Sequence, residues 1–267
     1  MKKIIYIILI LFAVVSPSAC FAEESSNVLG MEELSIQVMP EYTYHPNDKK
    51  KNHAPLLIGY QGSMVNNSDH PQKGLIEIPL PIKEKNFRIG YVADYSSDLT
   101  KTNEIEYSID REKGTISWTT SNEIPPQELY KFVIEYYTDS LQVNHDDKSL
   151  TYHFTSFADI GLVNVYFTQP NQAKKWKLTP APEEKSHADG KKSFAYHFQN
   201  VKDGTEKNFK LTYKRLETKT VLELQQSKNL NKRNNVSQIN HLAIGAFGGV
   251  SVLSIGALAV LIKRRKN

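Results

Sequence analysis

Cysteine is nearly absent from this chain of 267 residues, whose one cysteine, Cys20, lies close to the N-terminus. The region beyond Cys20 therefore has no disulfide, no thiol nucleophile and no thiolate metal ligand. Its stability must come from an ordinary hydrophobic core, and roughly 200 residues suffice for one or two such cores.

Sequence motifs of catalysis are absent as well. The chain contains Ser, His and Asp, but it has neither a Gly-x-Ser-x-Gly turn nor a His-Glu-x-x-His helix. Its adjacent carboxylates, Asp146-Asp147 and Glu183-Glu184, lie in polar stretches that are typical of solvated loops. We therefore expect no enzymatic activity and no cofactor.

A strong excess of one charge is also missing from the central part of the chain. The net charge of +4 comes from 33 Lys and Arg against 29 Asp and Glu, and six of the basic residues lie at the two ends. Without those six, 27 basic residues face 29 acidic ones, a net charge of −2. This balance argues against a nucleic-acid partner.

The two ends predict a membrane topology. Residues 1–22 follow the plan of a signal peptide, with Lys2-Lys3, an apolar run and small residues before Ala22. A lipoprotein signal, with Cys20 as the first mature residue, is the alternative. Residues 241–262 contain no Lys, Arg, Asp or Glu, and an apolar helix of this length spans about 30 Å of hydrocarbon.

The tail at residues 263–267 contains four basic residues, which favours a cytoplasmic position. We therefore predict a single-pass protein of the cell membrane, with its N-terminus outside. Within the span, Gly245 and Gly249 form a Gly-x-x-x-Gly step, through which two helices can pack closely in lipid.

Between the ends, apolar and polar residues alternate with period two, as in Leu34–Val38 and Leu75–Leu80. Such runs, rich in Ile, Val, Tyr, Phe and Thr and separated by turn residues, are typical of half-buried strands. No sustained helical period precedes residue 241. The sequence therefore predicts an all-β ectodomain.

The runs of the two halves match in order, at offsets of 87 to 89 residues early and 78 to 79 late. The matched groups are Ile76, Ile78 and Leu80 with Val163, Val165 and Phe167; Phe87 and Ile89 with Trp176 and Leu178; Ile116, Trp118 and Thr120 with Phe194, Tyr196 and Phe198; and Tyr130, Phe132 and Ile134 with Phe209, Leu211 and Tyr213. This repeat predicts two tandem β-sandwiches at residues 32–140 and 146–216, with Trp118 and Trp176 in separate cores. A polar stalk at residues 217–240 would follow.

A short stretch carries a family resemblance. Ile124-Pro125-Pro126, followed by Tyr130, Phe132 and Ile134, resembles the corner between a proline turn and a tyrosine strand in fibronectin type III-like domains. The whole layout resembles uncharacterised bacterial membrane-anchored proteins with tandem Ig-like ectodomains. No catalytic or ligand motif comes with that resemblance.

Without a catalytic constellation, the tethered ectodomain is predicted to be a non-catalytic binding or assembly module outside the membrane. Its partner would be another membrane protein, an extracellular protein or a cell-wall polymer. Ten tyrosines offer a stacking face, although packing in the core or on strand faces is the leading interpretation. They are Tyr42, Tyr44, Tyr60, Tyr91, Tyr95, Tyr107, Tyr136, Tyr137, Tyr152 and Tyr166.

The alternative function is copper handling outside the cytoplasm. Imidazole and thioether ligands together suit copper, and residues of both types are close in sequence in the first half. They are His45, His53, His70, Met39 and Met64. No His-x-His or His-x-x-x-His spacing connects them, so the metal hypothesis depends on the fold bringing them together.

Overall fold

The computed structural model describes residues 28–48, 53–96, 99–188 and 191–233, which form fifteen β-strands and one helix. The all-β prediction is confirmed. The predicted signal peptide, the span at residues 241–262 with Gly245 and Gly249, and the tail at 263–267 lie outside these residues. In the part of the chain that is described, no helix combines the length and apolarity that crossing a membrane requires.

Eight strands form one large sheet, in the order β13-β14-β11-β1-β2-β8-β4-β5. Their bounds are β1 (Leu29–Pro40), β2 (Leu56–Asn66), β4 (Arg88–Tyr95), β5 (Thr102–Glu104), β8 (Leu129–Thr138), β11 (Ile160–Gln169), β13 (Glu184–Ala188) and β14 (Lys191–Val201). Neighbouring strands are antiparallel except at one place, where β1 and β11 pair in parallel.

Two smaller sheets complete the fold. One has the order β12-β15-β10-β9 and the other β3-β7-β6. Their strands are β3 (Leu75–Pro79), β6 (Ser108–Asp110), β7 (Thr115–Thr119), β9 (Gln142–Asn144), β10 (Asp147–Thr155), β12 (Lys174–Thr179) and β15 (Glu206–Lys214). β9 occupies residues that the sequence predicts to lie between two domains.

The strand pairing of the first half recurs in the second. β1-β2-β8-β4 in the first half corresponds to β9-β10-β15-β12 in the second, and β3-β7-β6 corresponds to β11-β14-β13. The registers differ, since Ile76 faces Trp118 whereas Val163 faces Phe198. The order in which strands pair thus follows the predicted order of matched segments. The residue that faces a given position, however, differs between the two halves.

The parallel pairing of β1 with β11 joins the two halves into one sheet. Leu34, Ile36 and Val38 of β1 face Val163, Val165 and Phe167 of β11. Gly161 permits this close approach, because a Cβ there would lie 2.8 Å from the carbonyl oxygen of Glu32. We call this pairing the seam.

One hydrophobic cluster contains buried side chains from both halves, among them Trp118 and Phe209. The hydroxyls of Tyr60 and Tyr152, one from each half, lie 3.3 Å apart within it. Trp176 is half-buried and stacks on Phe194 at the edge of this cluster. Trp118 therefore lies within a cluster that both halves share, and Trp176 lies at its edge and not at the centre of a core of its own. The division into domains at residues 32–140 and 146–216 stays a prediction.

The predicted stalk begins with a helix, α1 (Val221–Arg233). Its first turn is a capping box: the amide of Glu223 donates to Thr220 Oγ1 at 3.1 Å, and the amide of Thr220 donates to Glu223 Oε2 at 2.8 Å. Val221 is buried against Met39 and Leu57. The apolar and polar residues at 222–224 alternate as they would in a strand, but these residues are helical. The capping box stabilises the first turn of that helix.

A buried ion pair connects β1, β15 and α1. Arg215 Nη1 donates to Glu41 Oε2 at 2.9 Å, and Tyr213 donates to Glu41 Oε1 at 2.7 Å. The backbone amide of Val221 also donates to the carbonyl of Glu41. The chain therefore leaves the β-structure from a point held by both halves.

Trp118→Ala tests whether the halves unfold together. Removing a buried aromatic side chain typically costs about 3–5 kcal/mol. Because the seam and the core are shared, we expect amides of β14 and β15 to exchange faster together with those of β7 and β8. Hydrogen exchange with mass spectrometry measures both halves in one experiment.

The control is Tyr107→Ala, which truncates a side chain that is 42% exposed and should leave exchange nearly unchanged. Full protection of β14 and β15 in the Trp118→Ala protein would contradict the shared unit and favour two independently folding sandwiches.

Candidate functional site

The large sheet has one face on the core and an opposite face that we call the outer face. In β1 the core side carries Leu34, Ile36 and Val38, whereas Ser35 and Gln37 alternate with them on the outer face. Paired strands extend this face across the seam, since Ser35 lies beside Asn164 of β11 and Gln61 of β2. The outer face therefore includes strands of both halves.

Polar side chains form a hydrogen-bonded chain across the seam, which we call the seam network: Glu33, Ser35, Asn164, His197 and Glu184. Asn164 Nδ2 donates to Glu33 Oε1 at 2.8 Å and to Ser35 Oγ at 3.4 Å. Asn164 Oδ1 lies 2.7 Å from His197 Nδ1. His197 Nε2 lies 3.5 Å from Glu184 Oε2. Four strands thus contribute to one network.

The network has a defined polarity. Asn164 uses its amide nitrogen as donor, so its carbonyl oxygen accepts a hydrogen bond from the Nδ1–H of His197. His197 Nε2 then faces Glu184, whose side chain is 62% exposed. Ser35 and Asn164 are only 6% and 5% exposed, so the buried end of the network is positioned by packing and the Glu184 end is open to a partner.

Three tyrosines of the predicted set lie half-buried on the outer face: Tyr91, Tyr95 and Tyr166. Gln61 Nε2 donates to the Tyr95 hydroxyl at 3.2 Å, and the Tyr166 ring meets His197 edge-on at 6.2 Å. Burial raises the pKa of Tyr166, and the charges of Glu33 and Glu184 raise it further. The Tyr166 phenol therefore remains a neutral hydrogen-bonding group at physiological pH.

Other tyrosines of that set are placed elsewhere. Tyr60, Tyr136 and Tyr152 are buried in the core, where desolvation raises the pKa of each. Tyr42 and Tyr137 pack with Met39 beside α1. The leading interpretation of the sequence, packing in the core or on strand faces, therefore agrees with the places of these tyrosines.

The candidate metal ligands do not converge. Met39 is 3% exposed and faces Leu57 at one end of β2. Met64 is seven residues further along the same strand, about 24 Å away at 3.4 Å per residue. Strand β2 therefore separates the two thioethers along its length.

The histidines of that set are divided in the same way. His45 packs on Tyr137, which faces Leu57, whereas His70 follows the opposite end of β2 and lies beside Asp69. His53 directs Nδ1 to the carbonyl oxygen of Ala54 at 3.1 Å. Within the described ranges, no group of three or more His, Cys, Asp or Glu has the arrangement of a metal site.

No family model matches the chain, and no curated protein is similar to it. Among solved structures, a proposed nutrient binding protein from Legionella pneumophila has a TM-score of 0.42 and 13% identity, over 69% of this chain and 67% of its own. An M1 zinc metallopeptidase from Deinococcus radiodurans has a TM-score of 0.40 and 10% identity, over 71% and 43%.

A proposed protease from Parabacteroides distasonis has a TM-score of 0.36 and 9% identity, over 79% of this chain and 44% of its own. The chain thus spans less than half of the length of the metallopeptidase and of this protease. TM-scores below 0.5 do not establish a common fold, so these proteins say nothing about the activity of this chain.

Asn164→Ala tests the seam network. The substitution removes the link between Glu33 and His197 and leaves their hydrogen-bonding groups without this partner, which typically costs about 1–3 kcal/mol. We expect the free energy of unfolding to fall by that amount in urea denaturation. Gln199→Ala, on an exposed position of β14, should change it by less than about 0.5 kcal/mol. Equal losses in the two variants would show that the network contributes nothing specific.

Proposed function

We propose that this chain is a non-catalytic binding or assembly module, anchored in the membrane by residues 241–262 and displayed outside the cytoplasm. We also propose that its two halves are Ig-like sandwiches fused through the seam; the recurring strand pairing supports this reading. The proposal depends on one observation: on the outer face, hydrogen-bonding side chains from both halves form the seam network.

A protein partner fits the outer face better than a small molecule does. Small ligands usually occupy concave pockets, and no residue of the seam network lines the cavities beside Lys148. Tyrosine side chains and satisfied polar groups are instead typical of protein interfaces.

Site-specific photo-crosslinking tests this proposal. A benzoylphenylalanine replaces Tyr166 in one variant of the full chain and Tyr107 in another, and native membranes are irradiated. We expect a discrete crosslinked protein, identified by mass spectrometry, from position 166, because this position lies on the outer face. The replacements are matched, since both exchange a tyrosine for a similar ring.

Position 107 should give no such product. Crosslinking at position 107 but not at position 166 would show that the interface does not lie on the outer face. Crosslinking at neither position would contradict a protein partner. Sub-micromolar, stoichiometric binding of copper by the purified chain, lost in His45→Ala or His53→Ala, would favour the copper-handling alternative.

Protease treatment of intact protoplasts tests the proposed topology. Residues from Glu23 to the region after α1 should be digested, since they would lie outside, and a small fragment containing residues 263–267 should be spared. An epitope tag placed after Asn267 allows an antibody to detect that fragment. Protection of the β-structure until the membrane is permeabilised would contradict the proposed orientation.

A further inference from the structure

Two adjoining cavities lie near the segment that leads to α1. The larger, about 510 Å³, is lined mainly by β9, β10 and β15. The smaller, about 430 Å³, is lined by His53, the β9–β10 turn and residues 215–218. Lys148 and Val143 line both cavities, so Lys148 stands at their common wall.

Lys148 is a buried lysine that has no acidic partner among the described residues. The residue is 6% exposed, and its Nζ donates to the carbonyl oxygen of His145 at 2.8 Å. An ammonium carries three N–H donors, and across the described ranges no carboxylate lies within ion-pair distance of this one. Burying a charge without a counter-ion typically costs several kcal/mol.

The nearby carboxylates are engaged elsewhere. Asp146 and Asp147 both pair with Lys214, at 3.4 Å and 2.9 Å. Glu41 is held by Arg215 and Tyr213. Glu217, the one acidic residue lining the smaller cavity, accepts from the amide of Lys219 at 2.8 Å and from Gln172 Nε2 at 3.2 Å. The backbone amide of Lys219 lowers the pKa of Glu217, so it stays charged without neutralising Lys148.

The remaining lining supplies nitrogen groups. His53 uses Nδ1 towards the carbonyl of Ala54, which leaves Nε2 for another partner. His145 lines the same smaller cavity, and so does Arg215, whose guanidinium is already bonded to Glu41 and to backbone carbonyls. An ammonium in one lining with two histidines is suited to a tetrahedral oxyanion, because it can donate charge-assisted hydrogen bonds to the oxygens of the anion.

We propose that the cavity around Lys148, His53 and His145 binds a phosphate group. The site is independent of the outer face and therefore goes beyond the proposed protein interface. Residues 215–218 lie between β15 and α1, so the cavity lies where the chain leaves the β-structure. Both a free phosphate and the headgroup of an anionic phospholipid present the required group.

Two probes distinguish these sources with the full chain in detergent micelles. One is inorganic phosphate, and the other is dihexanoyl phosphatidylglycerol below its own micellar concentration. Line broadening of the probe's phosphorus-31 resonance reports binding. We expect saturable binding of at least one probe. If only the lipid binds, the ligand is a phospholipid headgroup. If inorganic phosphate binds, the phosphate group alone is sufficient. Absence of binding by both would overturn the proposal.

Lys148→Met is the decisive variant, because it keeps an unbranched apolar side chain and removes the charge. Affinity for the bound probe should fall at least about tenfold, while Lys210→Met, on an exposed position of β15, should bind as the unaltered chain does. In phosphate-free buffer the Tm of Lys148→Met should equal or exceed that of the unaltered chain, since an unpaired buried cation is removed. Unchanged affinity would overturn the proposal.

His145→Asn gives a second test if Lys148→Met does not fold. His145 has a φ of 53°, a left-handed conformation that asparagine adopts readily. The variant removes the imidazole from the cavity and keeps the carbonyl that Lys148 contacts. We expect weaker probe binding with an unchanged Tm. Full affinity in this variant, together with failure of Lys148→Met to fold, would count against the proposed site.

Discussion

The parallel pairing of β1 with β11 is the interaction on which both faces of the large sheet depend. Side chains alternate along a strand, so one register places Leu34 beside Val163 in the core and Ser35 beside Asn164 on the outer face. A slip by one residue would exchange the two sets and bury hydrogen-bonding groups among apolar ones. The shared core and the seam network are therefore two consequences of one pairing.

The ion pair of Glu41 with Arg215 secures the same junction from the end of the sheet. A buried pair stabilises only when its remaining donors are satisfied, and here the guanidinium also donates to the carbonyls of Asn171, Glu217 and Lys219. Burial and the charge of Glu41 raise the pKa of Tyr213, so its phenol remains a donor. Glu41 itself has a φ of 51°, directly after β1, where its carbonyl accepts from the amide of Val221.

Much of the fold follows from residue patterns that are visible in the sequence. The alternation of Leu34, Ile36 and Val38 predicts the core side of β1, and the matched segments predict the recurring order of strand pairs. Alternation identifies the faces of a strand but not its partners, so the contact between Glu33 and Asn164, 131 residues apart, could not be predicted. The prediction of a polar stalk missed α1 (Val221–Arg233), although the Thr-x-x-Glu spacing of Thr220 and Glu223 is the local signal of a capping box.

The candidate sites show why nearness in sequence is a poor guide in this fold. Met39 and Met64 precede and follow one connection, yet the length of β2 separates them, because consecutive antiparallel strands carry the chain from one end of the sheet to the other. Lys148 and Arg215, from distant segments, instead meet in one cavity. Arg215 also holds the segment before α1, so a ligand that binds only the folded cavity would stabilise this exit point by mass action. Through the seam and the common core, that stabilisation would extend to both halves.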